Sequence, residues 1–420
     1  MDIDKRIVAM IKDCEHSLKG RFEELEEICE YNQLKVLNAM HNNKLSEHHF
    51  YMSTGYGYND QGREVCEKIY AEVFGAECAL VRPQIVSGTH AIALCLYGVL
   101  RPGDEIISAT GMPYDTIQTI IGEDKTYKGQ GTLKEYDITF KTIELRNNGN
   151  INIENVVNNI NNNTKAIYMQ RSTGYEKRNA ITISLIKQVV NKVKKSNNDI
   201  IIILDNCYGE FIEKFEPTEV GVDLIAGSLI KNPGGGLATT GGYVIGKEKY
   251  VKKAAARLSA PGIEFEVGAN LGVIRSYLQG LFIAPSVTMN ALKGAILTAA
   301  FFKQAGYDVF PDVGDLRSDI IQGIALGSKE KVISYCKAIQ EASPVDSFAA
   351  PLPWDMPGYS DEIIMAAGNF IQGSSIELSA DAPIREPYIV YQQGGLTYQH
   401  VKLGLANAYS AIEKFNKTHS

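Results

Sequence analysis

The chain has 420 residues, 45% hydrophobic and 22% charged, with a formal net charge of −7. That is an ordinary globular composition, long enough for two or three separate cores. The acidic balance argues against nucleic acid and acidic membrane surfaces as partners, and with no uninterrupted run of about 18 apolar residues no membrane span is expected.

The opening stretch, MDIDKRIVAMIKDCEHSLKG, is charged throughout and lacks the apolar centre of a secretory leader. Seven cysteines are scattered without a C-x-x-C: Cys14, Cys29, Cys66, Cys78, Cys95, Cys207 and Cys336. Their odd number fits a reduced, cytoplasmic protein without a disulfide framework or structural zinc. No H-E-x-x-H occurs, and His48 and His49 lack matching partners, so no metal site is expected.

Residues 4–40 read as one helix, because Val8, Ile11, Leu18, Phe22, Leu25 and Ile28 recur at three- and four-residue steps. This helix packs either on another subunit or on its own chain. Next, FYMSTGYGYNDQG (50–62) breaks the pattern with glycines and is too rich in tyrosine for a plain linker. Its hydroxyls suit an anion; its rings equally suit apolar cover. Helical spacing resumes over Arg63–Phe74.

Ser87-Gly88-Thr89-His90 then opens an apolar helix. Free backbone N–H groups at such a start suit a phosphate, although a simple N-cap explains the residues as well. The turn Arg101-Pro-Gly-Asp104 leads to the strand EIISA and on to Tyr114. Residues 123–136 and the Asn-rich 147–163 read as surface excursions. A strand at Ala166–Gln170 precedes Arg171-Ser-Thr-Gly-Tyr175, a helix covers Ser184–Lys195, and the strand IIIILD ends at Asp205. A further apolar run ends at Ser228-Leu-Ile-Lys231, followed by a glycine-rich loop and Gly242-Tyr-Val-Ile. Beyond Lys249 the chain is mainly helical to about Phe302. Pro285 marks the passage to a second domain with a helix at 330–341, strands near Gln372–Leu378 and Tyr388–Gln392, and a last helix from Thr397 to Phe415.

Strands alternating with helices predict a mostly parallel sheet covered on both faces, which binds ligands at the carboxyl ends of its strands. Ser87, Tyr114, Arg171, Asp205 and Lys231 all fall at predicted strand ends. An acid and an amine so placed fit pyridoxal phosphate, which needs a lysine for its aldehyde and a carboxylate for its ring nitrogen. Apolar neighbours are expected to favour the neutral, nucleophilic lysine. Arg385, stiffened between Pro383 and Pro387, suits a substrate carboxylate, or a surface ion pair.

Ser87-Gly88-Thr89, Arg-Pro-Gly-Asp104, Arg171-Ser-Thr-Gly-Tyr175, Asp205-Asn206, Ser228-x-x-Lys231, Lys231-Asn-Pro-Gly-Gly-Gly236, Arg385-Glu-Pro-Tyr and Gln393-Gly-Gly-Leu-Thr-Tyr398 resemble the cystathionine β/γ-lyase family of cysteine and methionine metabolism. The closest likeness is to the branch named for methionine γ-lyase and aluminium resistance, and it covers most of the chain. The resemblance implies fold type I (PLP-dependent transferase-like): an α/β domain with a mostly parallel sheet over 61–285, a smaller α+β domain over 286–420, and a helical arm and loop over 1–60. It implies Lys231 as the Schiff-base lysine, Asp205 on the ring nitrogen, Ser228 and the Gly88–Thr89 backbone on the phosphate, and Tyr114 stacked on the ring.

Some positions depart from the family pattern. Ile230 replaces the usual threonine before the lysine. Gly55-Tyr-Gly-Tyr58 replaces the Tyr-x-Arg that relatives send to a neighbouring subunit's phosphate, so Tyr56 or Tyr58 takes that part. Arg171 is expected to supply the missing charge near the substrate, and Tyr208 to bond the cofactor's ring oxygen. The implied activity is carbon–sulfur elimination from a sulfur-containing amino acid, of the methionine γ-lyase or cystathionine β-lyase kind, in a homotetramer with active sites at subunit interfaces. Tyr114 is then a candidate acid for the leaving sulfur. The alternatives are amino transfer or γ-replacement at the same site, or a non-catalytic binder of the cofactor.

Overall fold

The computed structural model describes residues 4–175, 178–356 and 361–419. The strands are β1 (Cys78–Arg82), β2 (Glu105–Ser108), β3 (Thr139–Thr142), β4 (Thr164–Gln170), β5 (Ile201–Asp205), β6 (Leu224–Ser228), β7 (Gly242–Gly246), β8 (Asp308–Phe310), β9 (Gln322–Ala325), β10 (Ile363–Ala366), β11 (Ser379–Pro383) and β12 (Ile389–Gln393). The helices are α1 (Lys5–Ser17), α2 (Lys19–Asn42), α3 (Gln61–Val73), α4 (Gly88–Val99), α5 (Asp115–Ile121), α6 (Ile153–Asn158), α7 (Ile183–Ser196), α8 (Glu248–Leu258), α9 (Ile274–Gln304), α10 (Lys329–Glu341) and α11 (Tyr398–His419).

The first sheet runs β1-β7-β6-β5-β4-β2-β3. It is parallel except for β7, which pairs antiparallel with both β6 and β1. Side chains alternate between its faces, as a pleated strand requires. On β5, Ile201 and Ile203 join the core under α4, α5 and α8, whereas Ile202 and Leu204 join the core under α3, α7 and α9. On β4, Ala166 and Tyr168 share the first face and Ile167 and Met169 the second. This is the two-layered, mostly parallel sheet expected from the alternation of elements.

The second sheet is antiparallel and runs β10-β11-β12-β9-β8. Ala380 and Ala382 of β11 and Val390 of β12 enter a third core with α10 and α11. The sequence placed a strand at Gln372–Leu378. The strand instead begins at Ser379, because Gly373 takes φ 79° and turns the chain. β8, β9 and β10 are short and were not anticipated.

The expected single helix over 4–40 is two helices, broken at Leu18 (ψ 1°). Ile7, Ile11, Cys14 and Leu25 pack into the third core, so the arm lies on its own chain. Pro285 falls inside α9, and the cores change hands there: Leu278, Leu281 and Ala284 belong to the first, Val287, Ala291 and Leu292 to the third. By length and composition α9 could cross a membrane, a candidate the run-length criterion passed over; 67% of its most apolar window is buried in these cores.

Candidate active site

Parity along the strands decides which end residues meet. Asp205 shares the face of Ile201 and Ile203, and Ser228 the face of Leu224 and Ala226, so both point toward α4. Beyond Ser228 the chain turns through Lys231 into a 3-10 turn, Asn232–Gly234. Gly234 must be bare there: a Cβ would lie 1.8 Å from the Leu229 carbonyl oxygen. Ser87, Gly88, Thr89, Tyr114, Thr116, Asp205, Cys207, Ser228, Ile230, Lys231, Thr239, Thr240 and Gln372 are among the residues lining one cavity of about 350 Å³. That is a usual size for a small-molecule site, roughly 300–1,000 Å³.

Ser87 caps α4, its side chain accepting from the His90 N–H at 3.1 Å. The remaining amides of the first turn border the cavity, where the helix carries partial positive charge. Gly88 passes close to the turn after β5: a Cβ there would sit 3.1 Å from Cys207 Sγ. Thr89 Oγ1 and Thr116 Oγ1 are 2.9 Å apart and tie α4 to α5. Tyr114 precedes α5, with its N–H donating to Gln170 Oε1 at 2.7 Å.

Asp205 accepts from the Cys207 N–H at 3.0 Å. Burial pushes its carboxyl up, while the Lys231 charge and the Cys207 bonds pull it back. The expectation of a neutral lysine is corrected. Burial does favour the neutral amine, but the Asp205 carboxylate and the face of the Tyr208 ring favour the charged form, and the Lys231 ammonium is raised. Lys231 Nζ also stands 4.0 Å from the Tyr208 ring centroid. Tyr208 is held with φ 69°, and Asn232 Nδ2 donates to the carbonyls of Tyr208 and Glu210, both at 3.0 Å, locking the acid-bearing turn to the lysine-bearing turn.

Three sequence candidates lie elsewhere. Arg171 is corrected as a substrate ligand: it sits on the opposite face of β4, with Ile167 and Met169, and is fully buried. Its guanidinium donates to Glu213 at 2.9 Å, to Asn206 Oδ1 at 3.1 Å and to the Gly209 carbonyl at 2.6 Å. Arg385 lines an adjoining recess that shares Tyr114 with the main cavity, and pairs with Asp361 at 2.9 Å. Tyr58 is 61% exposed and stands beside Tyr56, at 5.6 Å between ring centroids, outside this chain's own cavity. Their loop is anchored by Arg63, which donates to the Gly57 carbonyl at 2.7 Å, and by Asn270, which donates to Asp60 at 3.0 Å.

Cys207 and Gln372 were missed as lining residues. Cys207 was readable, two residues past Asp205 on the same parity. Gln372 arrives from the second domain in an irregular segment without periodicity.

An amine and a carboxylate on one cavity wall, with helix amides and Ser228 beside them, suit the aldehyde, ring nitrogen and phosphate of pyridoxal phosphate. On a seven-stranded, mostly parallel sheet, this defines a fold type I pyridoxal-phosphate enzyme. The comparisons narrow the class. The methionine gamma-lyase family model matches residues 7–413. The uncharacterised protein YnbB of Bacillus subtilis is 49% identical over 400 residues, 95% of each chain. A solved carbon-sulfur lyase involved in aluminum resistance from Clostridium novyi is 49% identical, with a TM-score of 0.94 over 97% of this chain and 96% of that one. A solved structure from Listeria innocua, provisionally described as a cystathionine beta-lyase involved in aluminum resistance, is 51% identical, with a TM-score of 0.94 over 96% and 98%. The chain belongs to the methionine γ-lyase family of pyridoxal-phosphate-dependent carbon–sulfur lyases.

Proposed function

We infer that the protein eliminates a thiol from a sulfur-containing amino acid, as a methionine γ-lyase or a cystathionine β-lyase does. The observation that carries this reading is the shared cavity of Asp205, Lys231 and the α4 N-terminus. Pyridoxal phosphate, when bound, supplies the aldehyde and the electron-accepting ring. Asp205 would hold a proton on that ring's nitrogen, which would give this buried acid a cationic partner. Ser228 and the Gly88–Thr89 amides would hold the cofactor's phosphate, Tyr114 would hold its ring and Tyr208 its ring oxygen. Lys231 Nζ would carry the cofactor's aldehyde and, as a free amine, would take the proton from the substrate's α-carbon. Arg385 orients the α-carboxylate, giving up or sharing Asp361. Tyr114 offers a proton to the departing sulfur.

The active form in this reading is a cytoplasmic homotetramer. The exposed run Tyr51, Met52, Tyr56, Tyr58 and Leu271 supports an interface of like copies through which Tyr56 or Tyr58 reaches the neighbouring phosphate. The chain divides into the arm and loop 1–60, the cofactor domain 61–285 and the second domain 286–420.

The test is an absorbance spectrum of the purified protein, borohydride trapping with peptide mapping, and turnover assays on methionine and cystathionine. A hydride-stable adduct on Lys231 and release of ammonia and a keto acid without an amino acceptor are expected. An adduct on another residue, or acceptor-dependent amino transfer alone, refutes the reading.

A further inference from the structure

Thr239 and Thr240 sit in the glycine-rich loop that follows Lys231, and no role has been given to them so far. Both line the main cavity, together with Ser87, Gly88, Thr89 and Ser228. Their backbone is held from both ends. On one side Ala238 is fully buried in the first core, and the N–H groups of Leu237 and Ala238 donate to the Gly234 carbonyl at 2.8 and 3.2 Å. On the other side Gly241 takes φ 101°, and a Cβ there would lie 2.3 Å from the Tyr277 hydroxyl oxygen. The two threonines therefore form a short bridge between buried anchors, along the cavity wall.

Strand pairing sets this bridge beside the lysine turn. Ser228 of β6 stands opposite Gly242 of β7, and one step on the Leu229 N–H donates to the Gly241 carbonyl at 3.0 Å. The next positions are Ile230 on one segment and Thr240 on the other. Ile230, directly before Lys231, offers no hydroxyl; the segment across from it offers two. The remaining hydroxyls of the wall divide into those already used and those left over. Ser87 Oγ accepts from the His90 N–H, and Thr89 Oγ1 is bonded to Thr116 Oγ1. Among the described residues the hydroxyls of Ser228, Thr239 and Thr240 bond to no other protein group, which leaves three donors on one wall. Lys231 is the one cation among the described lining residues, and the reading above assigns it to the aldehyde. An anion in this cavity must therefore be held by neutral donors, the free amides of a helix start and hydroxyls.

We propose that Thr239 and Thr240 are ligands of the cofactor's phosphate, their hydroxyls completing the subsite begun by Ser228 and the Gly88–Thr89 amides. The proposal rests on the pyridoxal-phosphate reading of the cavity and names a further part of the same site. Each hydroxyl donates to a charged phosphate oxygen, and such bonds are stronger than those between neutral groups. The anchors at Ala238 and Gly241 fix the donors before the ligand arrives, so little order has to be gained on binding.

The experiment uses the full-length chain, freed of cofactor and titrated with pyridoxal phosphate or with pyridoxal, which lacks the phosphate. Borohydride mapping to Lys231 in the wild type first checks the underlying reading. T239V and T240V keep the side-chain size and remove one hydroxyl each. Each is expected to raise the Kd for pyridoxal phosphate about tenfold, and the double variant about a hundredfold. Pyridoxal at high concentration, trapped by borohydride, labels Lys231 in the double variant as it does in the wild type. The double serine variant, T239S with T240S, keeps both hydroxyls and binds pyridoxal phosphate within about threefold of the wild type. Phosphorus-31 NMR of the loaded protein gives a second readout independent of turnover: the bound phosphate resonance shifts in the double valine variant. Suppose Lys231 is labelled in the wild type. The proposal then fails, and the lyase reading stands, if the double valine variant keeps the wild-type Kd or phosphorus resonance, or loses pyridoxal as much as pyridoxal phosphate. It fails equally if the serine variant binds as weakly as the valine one. If Lys231 is not labelled in the wild type, both fall.

Discussion

Arg171 and Lys231 are two cationic side chains carried just past the carboxyl ends of strands in the same sheet, and the protein treats them in opposite ways. Arg171 is closed off in the core, its guanidinium shared among Glu213, Asn206 and the Gly209 carbonyl, with Glu216 at 3.8 Å. Lys231 opens on a cavity, has no ion pair within 4 Å among the described residues, and rests on the Tyr208 ring. The contrast teaches that a charge at a strand end does not by itself mark a ligand site. A charge whose partners are all protein holds the fold together; one whose nearest partners leave room beside it is available for chemistry.

Lys231→Ala breaks the contrast most severely. It removes the attachment point, so the hydride-stable adduct vanishes and elimination falls by at least about a thousandfold, with little change in the melting temperature of the unloaded protein. Arg171→Met does the reverse. Leaving Glu213 and Glu216 without their cation costs about 3–5 kcal/mol in denaturant unfolding, while the molecules that remain folded still carry the adduct on Lys231.

Glu210 tests the space between these two. Its carboxyl accepts from the Tyr243 hydroxyl at 2.5 Å, and burial pushes it up to about 8. An unfolded glutamate titrates at about 4.3, so between these values the unfolded chain has released a proton that the folded chain still holds. Stability therefore drains away as pH rises from about 4.3 to about 8. Glu210→Gln should gain on the wild type by a few kcal/mol at pH 8 compared with pH 5, read from denaturation midpoints at the two pH values. The smallest effect is at the helix cap. Ser87→Ala should cost about 1 kcal/mol of stability, and should weaken the affinity for pyridoxal phosphate while leaving the adduct on Lys231.

The same contrast explains what could be read in advance. Asp205 and Lys231 were legible because each ends an apolar β run, and the alternation of strands with helices gave the parallel sheet. Arg171 was misjudged because its position at a strand end was weighed without its parity. Counting by twos from Ile167 sends it to the far face, and counting by twos from Ile201 brings Asp205 to the near one. Lys231 was expected to be neutral because its apolar sequence neighbours were visible and its spatial neighbour, the face of the Tyr208 ring, was not. Gln372 comes from a different domain, more than a hundred residues away, and only the packing of that domain against the first sheet could reveal it. The antiparallel strand β7 was likewise hidden, since an apolar run carries no mark of its direction.

Helix α9 has a consequence for how the molecule comes apart. One uninterrupted rod of 31 residues is cemented into the first core along one half and into the third along the other. Melting either half strips apolar cover from its neighbour, so calorimetry should record a single cooperative transition for the two sheets. Any opening that admits substrate must then come from the connecting segments around the cavity, with both sheets standing still.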